Sequence, residues 1–259
     1  MDNEFQAVPA TEPPAVVSCQ TIGHRGYSAV APENTLAGLR AALETGVSRI
    51  EVDVRCSKDN VPVLLHDETV DRTTNGRGPC RELNAAELGR LDAGILRGGE
   101  FRGEPVPTLA AALSVVRARA RLLLDIKESG LAPWVAKALA DENLSAAEAV
   151  EVLVWDDDQL GEFAEKLPDA PRYLSGSGMK RYGEKVFAAL KDEKVAGFSL
   201  DYRKADPRFI QAALAAGFRI YLWTVNDPAV ARRLAELGVH GVITDNIREV
   251  QEMLTRTTH

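Results

Sequence analysis

The chain has 259 residues, 45% of them hydrophobic and 27% charged, with a formal net charge of −7. That is enough sequence for one large domain with a sizeable core, and the acidic balance argues against a nucleic-acid backbone or an anionic membrane surface as main partner, since both call for a basic face. No apolar run approaches the ~20 residues of a membrane span, and Cys19, Cys56 and Cys80, odd in number and widely spaced, fit reduced thiols rather than a disulfide framework or a zinc site.

Residues 1–17 are acidic and Pro-rich, with neither a basic n-region nor an apolar h-region. They read as a flexible N-terminal arm rather than a signal peptide, and the expected location is the cytoplasm. From residue 18 onward short apolar runs alternate with amphipathic stretches. The expected strands are Ser18–Gly23, Arg49–Val54, Arg121–Ile126, Val150–Val154, Pro171–Leu174, Ala196–Leu200, Arg219–Thr224 and Gly241–Thr244. Helical patterns lie between them, among them Thr35–Thr45, Leu109–Arg119, Pro133–Asp141, Pro207–Ala216, Pro228–Leu237 and Arg248–Leu254. Caps or early prolines open several (Asn34-Thr35, Asp206-Pro207, Asp227-Pro228), and Gly46, Gly217 and Gly238 close others. Eight βα units favour a closed (β/α)8 TIM barrel over an open sheet. The unit around Pro171–Leu190 carries the weakest pattern.

One interval breaks the rhythm. The stretch between Val54 and Leu109 holds a short strand, Val61–Leu65, and a Gly- and Arg-rich segment with the turn Arg72 to Gly78. Segments this long are usually functional, and in a barrel they cover the C-terminal face, where active sites lie.

Chemistry-bearing residues collect at the expected strand ends. Glu51 and Asp53, two apart, project from one face of their strand. Two carboxylates on a buried face repel unless they share a cation, and oxygen donors favour Mg²⁺, Ca²⁺ or Mn²⁺ over zinc. Asp125 and Lys127 repeat the geometry one unit later, offering a third oxygen ligand and a positive charge for a phosphate. His24 and Arg25 follow the first strand, and His66 follows Val61–Leu65. Arg25 presents a planar donor fork to phosphate oxygens. Two histidines can divide base and acid roles near neutrality. Three carboxylates against a divalent cation, Arg25 and Lys127 leave the site near +1, which suits a monoanionic phosphodiester. Trp223, ending the seventh strand, is placed to wall the pocket against a carbon skeleton.

Taken in order, His24-Arg25-Gly26, Ala31-Pro32-Glu33-Asn34-Thr35, Glu51-Val52-Asp53-Val54, Val61-Pro62-Val63-Leu64-Leu65-His66-Asp67, Arg72-Thr73-Thr74, Pro107-Thr108-Leu109, Asp125-Ile126-Lys127, Trp223-Thr224-Val225-Asn226 and Gly241-Val242-Ile243-Thr244-Asp245 resemble the glycerophosphodiester phosphodiesterase family over nearly the whole chain. The resemblance implies a single (β/α)8 catalytic domain over residues 18–259, with a small insertion after the second barrel strand at about 67–106. It implies one divalent cation, Mg²⁺ or Ca²⁺, on Glu51, Asp53 and Asp125, with His24 and His66 as the acid–base pair and Arg25 and Lys127 on the phosphate. The implied substrate is a small-molecule glycerophosphodiester such as glycerophosphocholine or glycerophosphoethanolamine, cleaved to sn-glycerol 3-phosphate and an alcohol through attack by a substrate hydroxyl and a cyclic phosphate. No nucleic-acid partner and no stable membrane insertion are expected; the oligomeric state is left open.

The sequence departs from the family pattern in places. Asp125 stands where the family more often has Glu, so the cation shifts or takes a water there. Val154-Trp155-Asp156 stands where relatives often carry a Ser-Phe pair, so Trp155 narrows the pocket. Asn60 replaces a common turn Gly, a conformation Asn tolerates. Two other readings keep part of the pattern. A phospholipase D type acting on lysolipids or sphingolipids calls for an apolar groove and a secretion signal, which residues 1–17 do not offer. A non-catalytic sugar-phosphate binder typically lacks an acid–base residue, whereas His24 and His66 are both present.

Overall fold

The computed structural model describes residues 19–180 and 182–255, so the N-terminal arm expected at 1–17 lies outside the described residues. In chain order the elements are β1 (Gln20–Gly23), α1 (Leu36–Glu44), β2 (Arg49–Cys56), β3 (Pro62–Leu64), α2 (Ala85–Leu88), α3 (Leu109–Val116), β4 (Arg121–Ile126), α4 (Ala132–Asp141), α5 (Ala146–Ala149), β5 (Val150–Val154), α6 (Asp157–Lys166), β6 (Arg172–Gly176), α7 (Glu184–Asp192), β7 (Val195–Asp201), α8 (Pro207–Ala215), β8 (Arg219–Trp223), α9 (Pro228–Ala235), β9 (Gly241–Thr244) and α10 (Ile247–Thr255). Strands β1, β2 and β4 to β9 run parallel and close on themselves, because β1 pairs with both β9 and β2. This is the eight-stranded (β/α)8 barrel that the alternation predicts.

The period-2 alternation of the strands sorts their side chains into two cores. Leu122, Leu124 and Ile126 of β4, with Ile50, Val52 and Val54 of β2, face the helix layer. Leu123 faces the lumen, where it packs with Ile22, Leu153, Tyr173, Tyr221 and Ile243 into a plug across the middle of the barrel. Two residues further along, the same inward alternation reaches the mouth. Asp125, Ser175, Ser199 and Trp223 therefore line one cavity above the plug. A polar residue at that register is directed into the mouth by the strand it sits on.

The helix boundaries follow from local chemistry. Thr35 caps α1 by accepting from the Gly38 N–H at 3.1 Å. Asp206 and Asp227 cap α8 and α9 with Pro in the first turn. Gly46, Gly217 and Gly238 leave α1, α8 and α9 at φ +79°, +83° and +85°. Asn60 takes φ +62° in the turn before β3. The weakly patterned unit around Pro171–Leu190 does form a strand and a helix. Its helix α7 is held by Phe187, whose ring meets Phe198, Phe209 and Phe218 at centroid distances of 6.5, 6.2 and 5.3 Å.

One expectation fails. Glu51 and Asp53 do not end their strand, because β2 continues to Cys56. The cause is β3, which pairs antiparallel with residues 54–56 of β2 and so extends it past its barrel neighbour. The stretch between β3 and α3 then leaves the barrel and packs on a satellite core of Val63, Leu65, Val70, Cys80, Leu88 and Val106. Ion pairs and hydrogen bonds pin it over the mouth. Arg72 bridges Asp67 and Glu33, Glu104 accepts from the Ala37 N–H at 2.8 Å, and Arg97 donates to the carbonyls of Ser28 and Ala29. Cys80, inside this stretch, is buried and its thiol is pushed up to about 12, which makes it inert. Among the described residues no helix is long and apolar enough to cross a membrane.

Candidate active site

All eight residues singled out in the sequence come together. His24, Arg25, Glu51, Asp53, His66, Asp125, Lys127 and Trp223 line one cavity of about 140 Å³ at the C-terminal end of the barrel. Glu51 and Asp53 come from β2 and Asp125 from β4, where Asp53 and Asp125 are register partners. One carboxylate oxygen from each of the three lies within 4.8 Å of the others. All three side chains are buried, Asp53 to 1% exposure.

Three carboxylates this close repel by roughly 3–4 kcal/mol per pair at an effective dielectric near 20. Their surroundings answer that charge in different ways. Asp53 is ringed by partners. Lys127 Nζ lies 2.9 Å from its Oδ1, Arg25 Nε 3.1 Å from its Oδ2, and the Asn34 amide donates to it at 2.7 Å. The Arg25 contact is an ion pair rather than an aligned hydrogen bond. Burial alone works against ionisation of Asp53, but Lys127 and Arg25 overcome it and hold the carboxyl below its usual range. Glu51 has less help. It accepts the Arg25 backbone N–H at 2.9 Å, while burial and the neighbouring charge of Asp53 push it up to about 8. Asp125 is also raised, by burial first, although Lys127 at 2.8 Å opposes this. Without a cation, burial and mutual repulsion therefore make full ionisation of the three carboxyls costly. The donor set is all oxygen, buried and over-supplied with negative charge, which fits a hard divalent cation.

Each histidine is oriented by an aspartate. His24 Nδ1 lies 2.7 Å from Asp245 Oδ1, which turns Nε2 toward Glu51 at 3.9 Å. His66 Nδ1 lies 2.7 Å from Asp67 Oδ1. Burial lowers the proton affinity of His24, yet the hydrogen bond to Asp245 and the charge of Glu51 outweigh it and hold the imidazole above its ordinary value. Asp245 is itself fixed by Ser28 Oγ and Asn226 Nδ2, both at 2.6 Å. Asp67 is held by Arg72 Nε at 2.6 Å. The Asp245 link yields a prediction. Asp245→Asn removes a negative charge from the hydrogen-bond partner of His24, so the proton affinity of the imidazole is expected to fall. NMR titration of the His24 ring should show this as a move to lower pH. An unmoved titration would mean that Asp245 does not act on His24.

The sequence alone assigns no role to Asp245, Asp67 or Glu33, and to Asn34 only one in a helix cap. Asn34, at φ +55°, clamps Asp53 from both sides, donating to Oδ2 and accepting the Asp53 backbone N–H at 3.1 Å. Trp155, expected to narrow the pocket, also donates its indole N–H to Asp125 Oδ1 at 2.6 Å. Its ring sits 6.0 Å from that of Trp223 and is 43% exposed at the rim. The short Asp125 side chain is thus held between Lys127 and Trp155.

Comparison with known proteins adds to this geometry. The family model "Glycerophosphoryl diester phosphodiesterase family" matches residues 24–249. A glycerophosphodiester phosphodiesterase of Caldanaerobacter subterraneus subsp. tengcongensis is 33% identical over 235 residues, covering 87% of this chain and 93% of its own. Among solved structures, an Oleispira antarctica phosphodiesterase in complex with the product sn-glycerol-3-phosphate matches with a TM-score of 0.82 and 30% identity, over 91% of this chain and 96% of that one. A glycerophosphodiester phosphodiesterase from Agrobacterium tumefaciens str. C58 matches with a TM-score of 0.75 and 27% identity, over 90% and 99% of the two chains.

Proposed function

Since the chain belongs to the glycerophosphoryl diester phosphodiesterase family, we propose a division of labour among its residues. The protein is a phosphoric diester hydrolase. It cleaves glycerophosphodiesters such as glycerophosphocholine or glycerophosphoethanolamine to sn-glycerol 3-phosphate and an alcohol. The observation that carries the assignment of roles is the convergence of three buried carboxylates, two Asp-oriented histidines, Arg25 and Lys127 on one cavity.

In this reading Glu51, Asp53 and Asp125 hold one divalent cation, Mg²⁺ or Ca²⁺. When bound, that ion supplies Lewis-acid neutralisation of a phosphoryl oxygen. Arg25 and Lys127 bind the remaining anionic charge of the diester. One histidine takes the proton of the substrate's neighbouring hydroxyl as its oxygen bonds to phosphorus. The other gives a proton to the leaving alcohol oxygen as its bond to phosphorus breaks. Water then opens the cyclic phosphate with the two histidines in exchanged roles, so one diester and one water give one phosphomonoester and one alcohol. Trp155 and Trp223 wall the rim through which the alcohol departs.

The metal site has a testable pH dependence. Binding requires ionised Glu51, and that carboxyl is raised to about 8 in the cation-free protein. Below that value each bound cation expels a proton, and apparent affinity falls by up to about tenfold per pH unit. Above it, affinity levels off and no proton is released from this group. Isothermal titration of Mg²⁺ or Ca²⁺ in buffers of different ionisation enthalpy, repeated over a pH series, reads the proton count. A count that does not fall as pH rises would contradict the assignment.

The substrate assignment is tested by a turnover panel of glycerophosphocholine, glycerophosphoethanolamine and their 1-acyl lysolipid counterparts. The deacylated diesters are expected to turn over with release of sn-glycerol 3-phosphate. Preference for the acylated substrates would replace this reading with one of the phospholipase D type.

A further inference from the structure

Two buried hydroxyls in the same cavity are used by none of the chemistry above. Ser175 on β6 and Ser199 on β7 are register partners on adjacent strands. Both line the cavity that holds the carboxylates and histidines. Ser199 is 0% exposed and the Ser175 hydroxyl oxygen is buried as well. Neither hydroxyl has a hydrogen-bond partner among the described residues. A buried hydroxyl left without a partner is costly, so such groups are normally satisfied by something that enters the space they face.

Their position says what that is. In the ring of eight strands β7 lies four strands round from β2, so Ser199 faces the carboxylates across the mouth. Leu153 and Ile243, which belong to the apolar plug, line the cavity between them. The wall is most exposed at Trp155 and His66, at the rim. At about 140 Å³ the cavity is small beside typical ligand clefts of ~300–1,000 Å³. It suits a short polyol, with carbon–hydrogen bonds against the plug and hydroxyls toward the serines, and it does not suit an acyl chain.

We propose that the adjacent Ser175 and Ser199 hydroxyls form a specificity site that hydrogen-bonds the terminal, non-attacking hydroxyl of the glycerol moiety. The inference rests on the reading given under Proposed function. With the phosphate at Arg25 and Lys127 and the attacking hydroxyl beside it, the third glycerol carbon is the part left to reach across the cavity. The serine pair then selects a free glycerol end. Acylation at that position removes the donor and adds bulk that the cavity cannot take, which gives the protein a physical basis for rejecting lysolipids.

The test compares glycerophosphocholine with 2-hydroxyethyl phosphocholine, which keeps the attacking hydroxyl and lacks only the terminal CH₂OH. A site built to bond a hydroxyl discriminates strongly against an analogue without it. The expected result is a kcat/KM ratio of about 100 or more for the native protein, falling to within a few-fold of unity in the Ser175→Ala/Ser199→Ala variant. Competition by sn-glycerol 3-phosphate over 2-hydroxyethyl phosphate should lose its preference in parallel, a readout that needs no turnover. The melting temperature should hold or rise, since the hydroxyls have no protein partner to lose. A variant that keeps the native ratio, or loses both substrates equally, overturns the proposal. A lower melting temperature with an unchanged ratio also overturns it, assigning the hydroxyls to the fold. If the native protein with added cation cleaves neither diester, the functional reading itself fails, and this inference with it.

Discussion

His24→Ala and His66→Ala are each expected to lower kcat by about 10²–10⁴-fold, the range over which a positioned acid or base contributes. Each imidazole is fixed by an aspartate at 2.7 Å, so its open nitrogen is already directed before substrate arrives. The two losses should not add. Once one proton transfer is disabled the other histidine cannot complete the cycle, so the double variant should be only slightly worse than the poorer single. KM should change less than kcat, because the charge proposed to bind the diester comes from Arg25 and Lys127. The measurement is steady-state release of sn-glycerol 3-phosphate from glycerophosphocholine by all three proteins. Either single variant retaining activity within tenfold of native would remove that histidine from the chemistry.

Glu51→Gln is the second large effect. The amide matches the carboxylate in shape and still accepts the Arg25 backbone N–H, but it takes one negative charge out of a buried cluster. The cation affinity is expected to fall by at least about 100-fold, since even one unit charge acting over ~5 Å is worth roughly 3 kcal/mol at an effective dielectric near 20. Folding should move the other way. In the cation-free protein the Glu51 carboxyl is costly to ionise beside Asp53, so a neutral amide in its place should melt no lower than the native chain. The opposing signs separate a ligand from a structural residue: weaker Mg²⁺ or Ca²⁺ binding by calorimetry, with equal or higher cation-free stability. A variant that binds the ion as tightly as the native chain would exclude Glu51 as a ligand. One that simply unfolds would assign it to the barrel's framework.

Much of this site was legible because strand periodicity is local. Leu123 and Asp125 are two residues apart, and that spacing alone sends one into the plug and the other into the mouth. The same rule assigned Glu51 with Asp53 to one face. What the sequence did not disclose depends on closure of the ring. Asp245 lies 221 residues from His24 and meets it only because β9 pairs with β1. Asn34 precedes a capped helix and reads as part of the cap, whereas its positive φ turns its amide onto Asp53. The true length of β2 depended on β3, which lends it three extra residue pairings outside the barrel. The Trp155–Asp125 hydrogen bond joins two departures from the family pattern that the sequence shows only as separate substitutions. Ser175 and Ser199 carried no signal, since short hydroxyls occur everywhere in a chain. Only their shared register and the lack of partners among the described residues distinguish them.

The central claim is that the three-carboxylate site and the two histidines cleave the phosphorus–oxygen bond to the alcohol and leave phosphate on glycerol. It is tested most directly by phosphorus NMR of glycerophosphocholine incubated with protein that has been stripped by chelator and then reloaded with Mg²⁺ or Ca²⁺. The predicted result is no change with the stripped protein and, on reloading, conversion of the diester signal to that of sn-glycerol 3-phosphate with release of free choline. Phosphocholine and glycerol as the products, or full turnover in the presence of chelator, would contradict it.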